Sequence, residues 1–232
     1  MPSTAEVIVG NGRMSKVFSA TVTEEAWKNM QDTLSSTNLG ILIPRAVVNN
    51  VQASTDSNGA MAWRIQNAQT LLVSRRGWGA KEGYNCYSSA AIPAHSINPD
   101  EIIQYYVMPA DATANKSNAL AWVHTSKGTE LYQAKGITDS TATAMTTSLQ
   151  GQTLGDAAFN STLTGFSIQA EQGARVVKVE FIDSAGGIVL TIDGNYRMPT
   201  AGGTSMYYNL EAKGLSLPVT KGFSMKITTV TA

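Results

Sequence analysis

VKVEFIDSAGGIVLTIDG, residues 177–194, carries the clearest structural signal in the chain. Val177, Val179 and Phe181 alternate with Lys178 and Glu180, a period of two that sends apolar groups to one face of a strand and charged groups to the other. Asp183-Ser-Ala-Gly-Gly187 supplies turn chemistry. Ile188, Leu190 and Ile192 then resume the alternation before Asp193-Gly194. The stretch reads as a long antiparallel hairpin.

The same signal recurs on both sides. Downstream, residues 207–210, 215–219 and 223–230 read as strands, broken at Gly202-Gly203, Gly214 and Lys221-Gly222. Upstream, residues 102–108 form a strand closed by Pro109, and 119–124 pairs with 130–134 across Thr125-Ser-Lys-Gly128. Residues 138–161 are small and polar and read as a long loop with room for a short helix. Nearer the N-terminus, 41–43, 46–53, 61–65 and 70–73 read as strands, with 54–59 as the turn of a hairpin. Residues 75–93 read as a long irregular segment, the kind that in a compact domain serves binding or assembly.

Residues 1–22 hold two β-prone runs, 7–9 and 17–22, separated by Gly10-Asn-Gly12, and read as an N-terminal arm or an edge strand. One helix is expected, over 23–35. Thr23 is its N-cap, Glu24 and Glu25 sit in the first turn where the helix dipole favours anions, and Trp27, Met30 and Leu34 share a face. About eleven short strands against one helix exclude a doubly wound parallel sheet, which needs several crossover helices. The expectation is all-β: an antiparallel β-sandwich or jelly roll with one N-terminal helix, forming a single domain over 1–232.

Composition narrows the function. The 17 basic and 17 acidic residues cancel, and only 15% of the 232 residues are charged, so no global field gathers nucleic acid or an anionic membrane. Cys86 is alone and cannot form an internal disulfide. No apolar run approaches the roughly 20 residues of a membrane-spanning helix, and the N-terminus lacks a secretory pattern, which points to synthesis in the cytoplasm.

There is no Gly-x-Ser-x-Gly elbow and no phosphate-binding glycine loop. His95 and His124 are the only histidines. Cys86 and His95 are a conceivable thiol and base, but the thiol reads better as a small buried apolar group. Two histidines and one cysteine do not make a common tetrahedral zinc site. Asp56-Ser-Asn58-Gly59 resembles the opening of a calcium loop but lacks the closing Glu, and reads as a β-turn. The sequons at Asn115 and Asn160 read as accidental. No catalytic, cofactor or metal site is expected, and the chain is not read as an enzyme. The one basic and aromatic cluster is Arg75, Arg76 and Trp78 with Lys81, Tyr84 and Tyr87. Such a set can stack on sugars or bases, or form a protein interface; the interface is favoured.

Together, the N-terminal arm, the many short strands, the long Ser/Thr/Ala/Gly loops, the balanced charge and the lone cysteine resemble a bacteriophage or related virus virion protein. The resemblance implies a β-sandwich capsid coat or head-decoration subunit located in the virion, partnered by copies of itself and other capsid proteins and locked into a shell by its arm and loops. Arg13 and Lys16 are the only basic residues in 1–22, so direct nucleic-acid binding by the arm is not expected. The alternative is a carbohydrate-binding or adhesive, receptor-binding β-domain that uses Trp78 and the tyrosines near it.

Overall fold

The computed structural model describes residues 3–22, 25–81, 92–194 and 209–231. Its contacts divide the chain into two compact units, Met1–Met108 and Pro109–Ala232, where a single domain over 1–232 was expected. Strands take up 61% of the described residues and helices 4%, so the all-β expectation holds. Nineteen described strands are numbered along the chain.

In the first unit, β1 (Ser3–Gly10) shows the two-residue period directly: Ser3, Ala5, Val7 and Val9 are buried, whereas Thr4, Glu6 and Ile8 are exposed. It pairs antiparallel with β2 (Ser15–Val22) on one side and β6 (Asn50–Thr55) on the other. Residues 3–22 are therefore no loose arm or edge but supply an interior strand, because Val7 and Val9 have no exposure left to give. The sheet is completed by β4 (Gln31–Asp32) beside β2, and by β9 (Ala80–Lys81), which runs parallel to β6. A second sheet has the order β3 (Lys28–Asn29), β11 (Glu101–Met108), β7 (Ala60–Asn67), β8 (Val73–Trp78). A two-stranded ladder joins β10 (His95–Ser96) to β5 (Val47–Val48).

The expected helix over 23–35 is not formed in its described part, 25–35. Backbone donors there are claimed by strands: the N–H of Glu25 reaches Val107 O, that of Met30 reaches Ile103 O and that of Thr33 reaches Val17 O. The segment thus straps the two sheets of this unit together, β3 on β11 and β4 on β2. Met30 is fully buried and Leu34 is 90% exposed, so the supposed common face does not exist. Asp32 replaces a helical turn with a side-chain turn. Its carboxylate accepts from the Ser35 hydroxyl and amide and the Leu34 amide, bonds that hold its pKa below the usual carboxylate range.

Other local readings change for similar reasons. Residues 41–43, expected extended, lie largely in the one-turn helix α1 (Leu39–Leu42), packed so closely that a Cβ on Gly40 would sit 2.5 Å from two carbonyl oxygens. Residues 70–72 lie in the connection from β7 to β8, whose turn is at 68–70, and the strand begins at Val73 and runs into the stretch expected to be irregular.

In the second unit, β12 (Lys116–Thr125) lies between β13 (Gly128–Thr138) and β15 (Ser161–Ala170). The order of the eight-stranded sheet is β17 (Ile188–Asp193), β16 (Ala174–Ile182), β19 (Ser224–Thr231), β14 (Thr143–Thr147), β13, β12, β15, β18 (Asn209–Val219). β14 turns the corner: residues 143–145 pair with β19, and residues 146–147 pair with β13. The two halves can then face each other as a sandwich. Phe166 of β15 meets Phe181 of β16 with ring centroids 5.6 Å apart, and the buried hydroxyls of Ser117 and Thr229 bond across at 2.8 Å. The short helix allowed for in 138–161 is α2 (Leu154–Ala157), capped by Thr153. β14 is the strand that this stretch conceals.

The hairpin of 177–194 is present as β16 and β17, with a register shift between Phe181 and Ile182, and β16 carries a second shift in its pairing with β19. A bulge between Val176 and Lys178 places Val176, Val179 and Phe181 in the core and leaves Val177 half-buried.

Candidate functional site

Arg75, Arg76 and Trp78 do come together, on β8, but strand alternation puts Arg75 on one face and the other two on the opposite face. Arg75 is committed to the backbone. Its guanidinium donates to the carbonyls of Ser74 (2.6 Å), Ala94 (3.2 Å) and Pro93 (3.3 Å), tying residues 93–94 to the sheet. Trp78 is only 5% exposed and sits opposite Ala62, so it belongs to the packing of its own unit and has little surface left for a sugar or a partner. Arg76 lies opposite Arg64. Tyr84, Tyr87 and Cys86 lie outside the described residues.

The more developed cluster is one that the sequence hardly signals. The Arg64 guanidinium stacks 3.9 Å from the Trp27 ring centre and donates through Nε to Gln104 Oε1 at 2.9 Å. Gln104 in turn donates to Asn29 Oδ1 at 2.7 Å, and Trp27 meets Tyr106 at 5.4 Å. Burial pushes the Tyr106 hydroxyl pKa up. The cue is Arg64 itself, a charge inside Met61-Ala-Trp-Arg-Ile65 that must be matched when buried. This cluster binds the 27–29 strap to the sheet.

His95 and Glu101 form a second polar pair. His95 Nε2 lies 2.9 Å from both carboxylate oxygens, Glu101 is buried, and Oε2 also accepts the Asn98 amide at 3.0 Å. The pair fixes β10 against the start of β11. Residues 56–59 do not close a hairpin, because β6 and β7 lie in different sheets; they form a connection in which the Thr4 amide donates to Asp56 Oδ1 and Lys81 to Asn58 Oδ1. Among the described residues, no group of three or more His, Cys, Asp or Glu is placed to hold a metal ion, and no helix is long and apolar enough to cross a membrane.

What stands out on the surface is apolar. Turns and strand connections normally carry Gly, Asn, Asp, Ser or Pro, yet here they expose Leu34, Leu71 and Leu72, Leu149 and Phe159, each at least half accessible. Leu71 also adopts φ +59°, which is costly for a branched side chain. Ile188 and Val189 add to the set at the start of β17, the outermost strand of its sheet.

Compared with known protein families, with curated proteins and with solved structures, the chain matches none.

Proposed function

We propose that the chain is a structural virion protein, a capsid coat or decoration subunit that assembles with copies of itself and other shell proteins. The observation that carries the reading is the set of large apolar side chains exposed in the strand connections of each unit, led by Leu71 and Leu72. Exposed apolar groups on stiff, well-hydrogen-bonded β frameworks are what a subunit contact needs, since little conformational entropy remains to be lost on docking. Arg75 and Trp78 act in this scheme as internal supports of β8.

Sedimentation of the purified chain, with electron microscopy of the particles formed, tests the proposal. Discrete assemblies that weaken about tenfold or more in Leu71→Ser/Leu72→Ser are expected, because burying a leucine stabilises by roughly 1.5–3 kcal/mol. A chain that stays monomeric at its highest soluble concentration and joins no particle would overturn it.

A further inference from the structure

We infer that the β1–β2 turn forms a binding site for a pyranose bearing a carboxylate, a sugar acid of the hexuronate class. A cleft of about 310 Å³ opens on the outer face of the first sheet, lined by Ile8 on its floor and by Arg13, Ser15, Asn50 and Gln52. That volume is at the small end of ligand pockets, which run from roughly 300 to 1,000 Å³.

The cleft follows from register. Ser15, Gly10 and Asn50 form one cross-strand row, and Val17, Ile8 and Gln52 form the next. The middle of the first row is Gly10, over which the turn folds so tightly that a Cβ would lie 2.5 Å from Met14 O. The turn is also held rigidly. Asn11 Oδ1 accepts the amides of Arg13 and Met14 at 3.2 Å, its Nδ2 donates to Val47 O at 2.7 Å, and the Asn49 amide donates to Gly10 O at 3.0 Å. Arg13 is thereby presented at the rim of a preformed site.

The polar lining is unspent. The side chains of Arg13, Ser15, Asn50 and Gln52 make no hydrogen bond or ion pair within the described residues. Two carboxamides offer donors and acceptors side by side, which suits adjacent sugar hydroxyls that donate and accept at once. Ile8, 36% exposed, offers an apolar patch for the C–H face of the ring. Arg13 supplies a planar fork for a carboxylate. It is the only charge in the lining, which matches a monoanion better than a phosphate dianion. Glu6, two residues from Ile8 on the same exposed face, repels an anion at the far end and so directs the carboxylate towards Arg13.

Titration of the full chain with D-glucuronate, followed by amide chemical shifts, is the test. Shifts confined to residues 8–15 and 50–52 are expected, with D-glucose bound about tenfold more weakly or worse, the value of one charge-assisted hydrogen bond. Arg13→Gln lies at an exposed turn and should keep the fold, retain glucose-level binding and lose the preference for glucuronate; Gln52→Ala should weaken both sugars. The inference is overturned if glucuronate leaves these amides unmoved, if acetate or glucose 6-phosphate binds as tightly as glucuronate, or if the preference survives in Arg13→Gln. None of these readouts requires subunit assembly, so the outcome is separate from that of the proposed virion role.

Discussion

Glu171 sits where burial and hydrogen bonding oppose each other. It is 5% exposed, yet its Oε2 accepts the amides of Asn118 at 2.7 Å and Asp111 at 2.9 Å. Those bonds favour the carboxylate, whereas desolvation and the neighbouring Asp111 carboxylate favour the acid; desolvation wins and raises the pKa to about 7. A raised carboxyl pKa gives stability that is complete below the unfolded value, near 4.5, and is lost as pH climbs through 7. Stability should therefore fall by roughly 1–2 kcal/mol from this group between pH 5 and 8, after allowance for solvent screening. In Glu171→Gln the amide oxygen can still accept both N–H groups, and that decline should disappear. Thermal melts of both proteins across this range decide it, and parallel pH profiles would refute it. A second residue-scale prediction concerns Gly77, over which the Trp63 ring lies: a Cβ would be 2.7 Å from ring atoms. Gly77→Ala should cost about 1–3 kcal/mol in denaturant unfolding, as overpacked cores do; an unchanged midpoint would mean that the ring moves freely.

At the scale of elements, legibility tracked how much of the local pattern was decided locally. β16, β17, β12, β13 and β11 could be read because their alternation, or their apolar run, is bounded by explicit turn residues. The 25–35 segment misleads because Trp27, Met30 and Leu34 satisfy a helical period by coincidence, while the strands that claim its amides are contributed by Val17, Ile103 and Val107, far away in sequence. β14 and β15 hide in Ser- and Thr-rich sequence whose pairing supplies the order that composition does not. The basic and aromatic cluster on β8 was visible as a group of residues, but not the division of its faces, since residues 75–93 read as irregular and only a strand sends neighbouring side chains to opposite faces. Arg75 gives this point a test. If its role is to hold residues 93–94, Arg75→Ala should speed hydrogen exchange at the Ile92 and Ile97 amides by about tenfold or more, leaving β7 and β11 unchanged. Arg75→Lys should not rescue it, because one ammonium cannot reproduce a three-carbonyl fork. Exchange unchanged at both amides would make Arg75 dispensable there.

For the whole molecule, the balance of charge sets how copies would meet in the proposed assembly. The 17 positive and 17 negative side chains leave no net charge, and the exposed groups that mark candidate contacts are Leu34, Leu71, Leu72, Leu149, Phe159, Ile188 and Val189. Contacts built on such groups gain from removing apolar surface from water, a term that salt leaves intact or strengthens. Ion-pair contacts behave in the opposite way, because the screening length shrinks from about 10 Å at 0.1 M to about 3 Å at 1 M. Assembly of this chain should therefore persist or tighten as sodium chloride rises across that range, and should weaken on cooling as the hydrophobic contribution fades. Light scattering at fixed protein concentration reads both trends. Particles that dissolve as salt is raised would assign the contacts to charged groups instead, and would return Arg76 and the lysines of the surface to consideration as the residues that hold neighbours together.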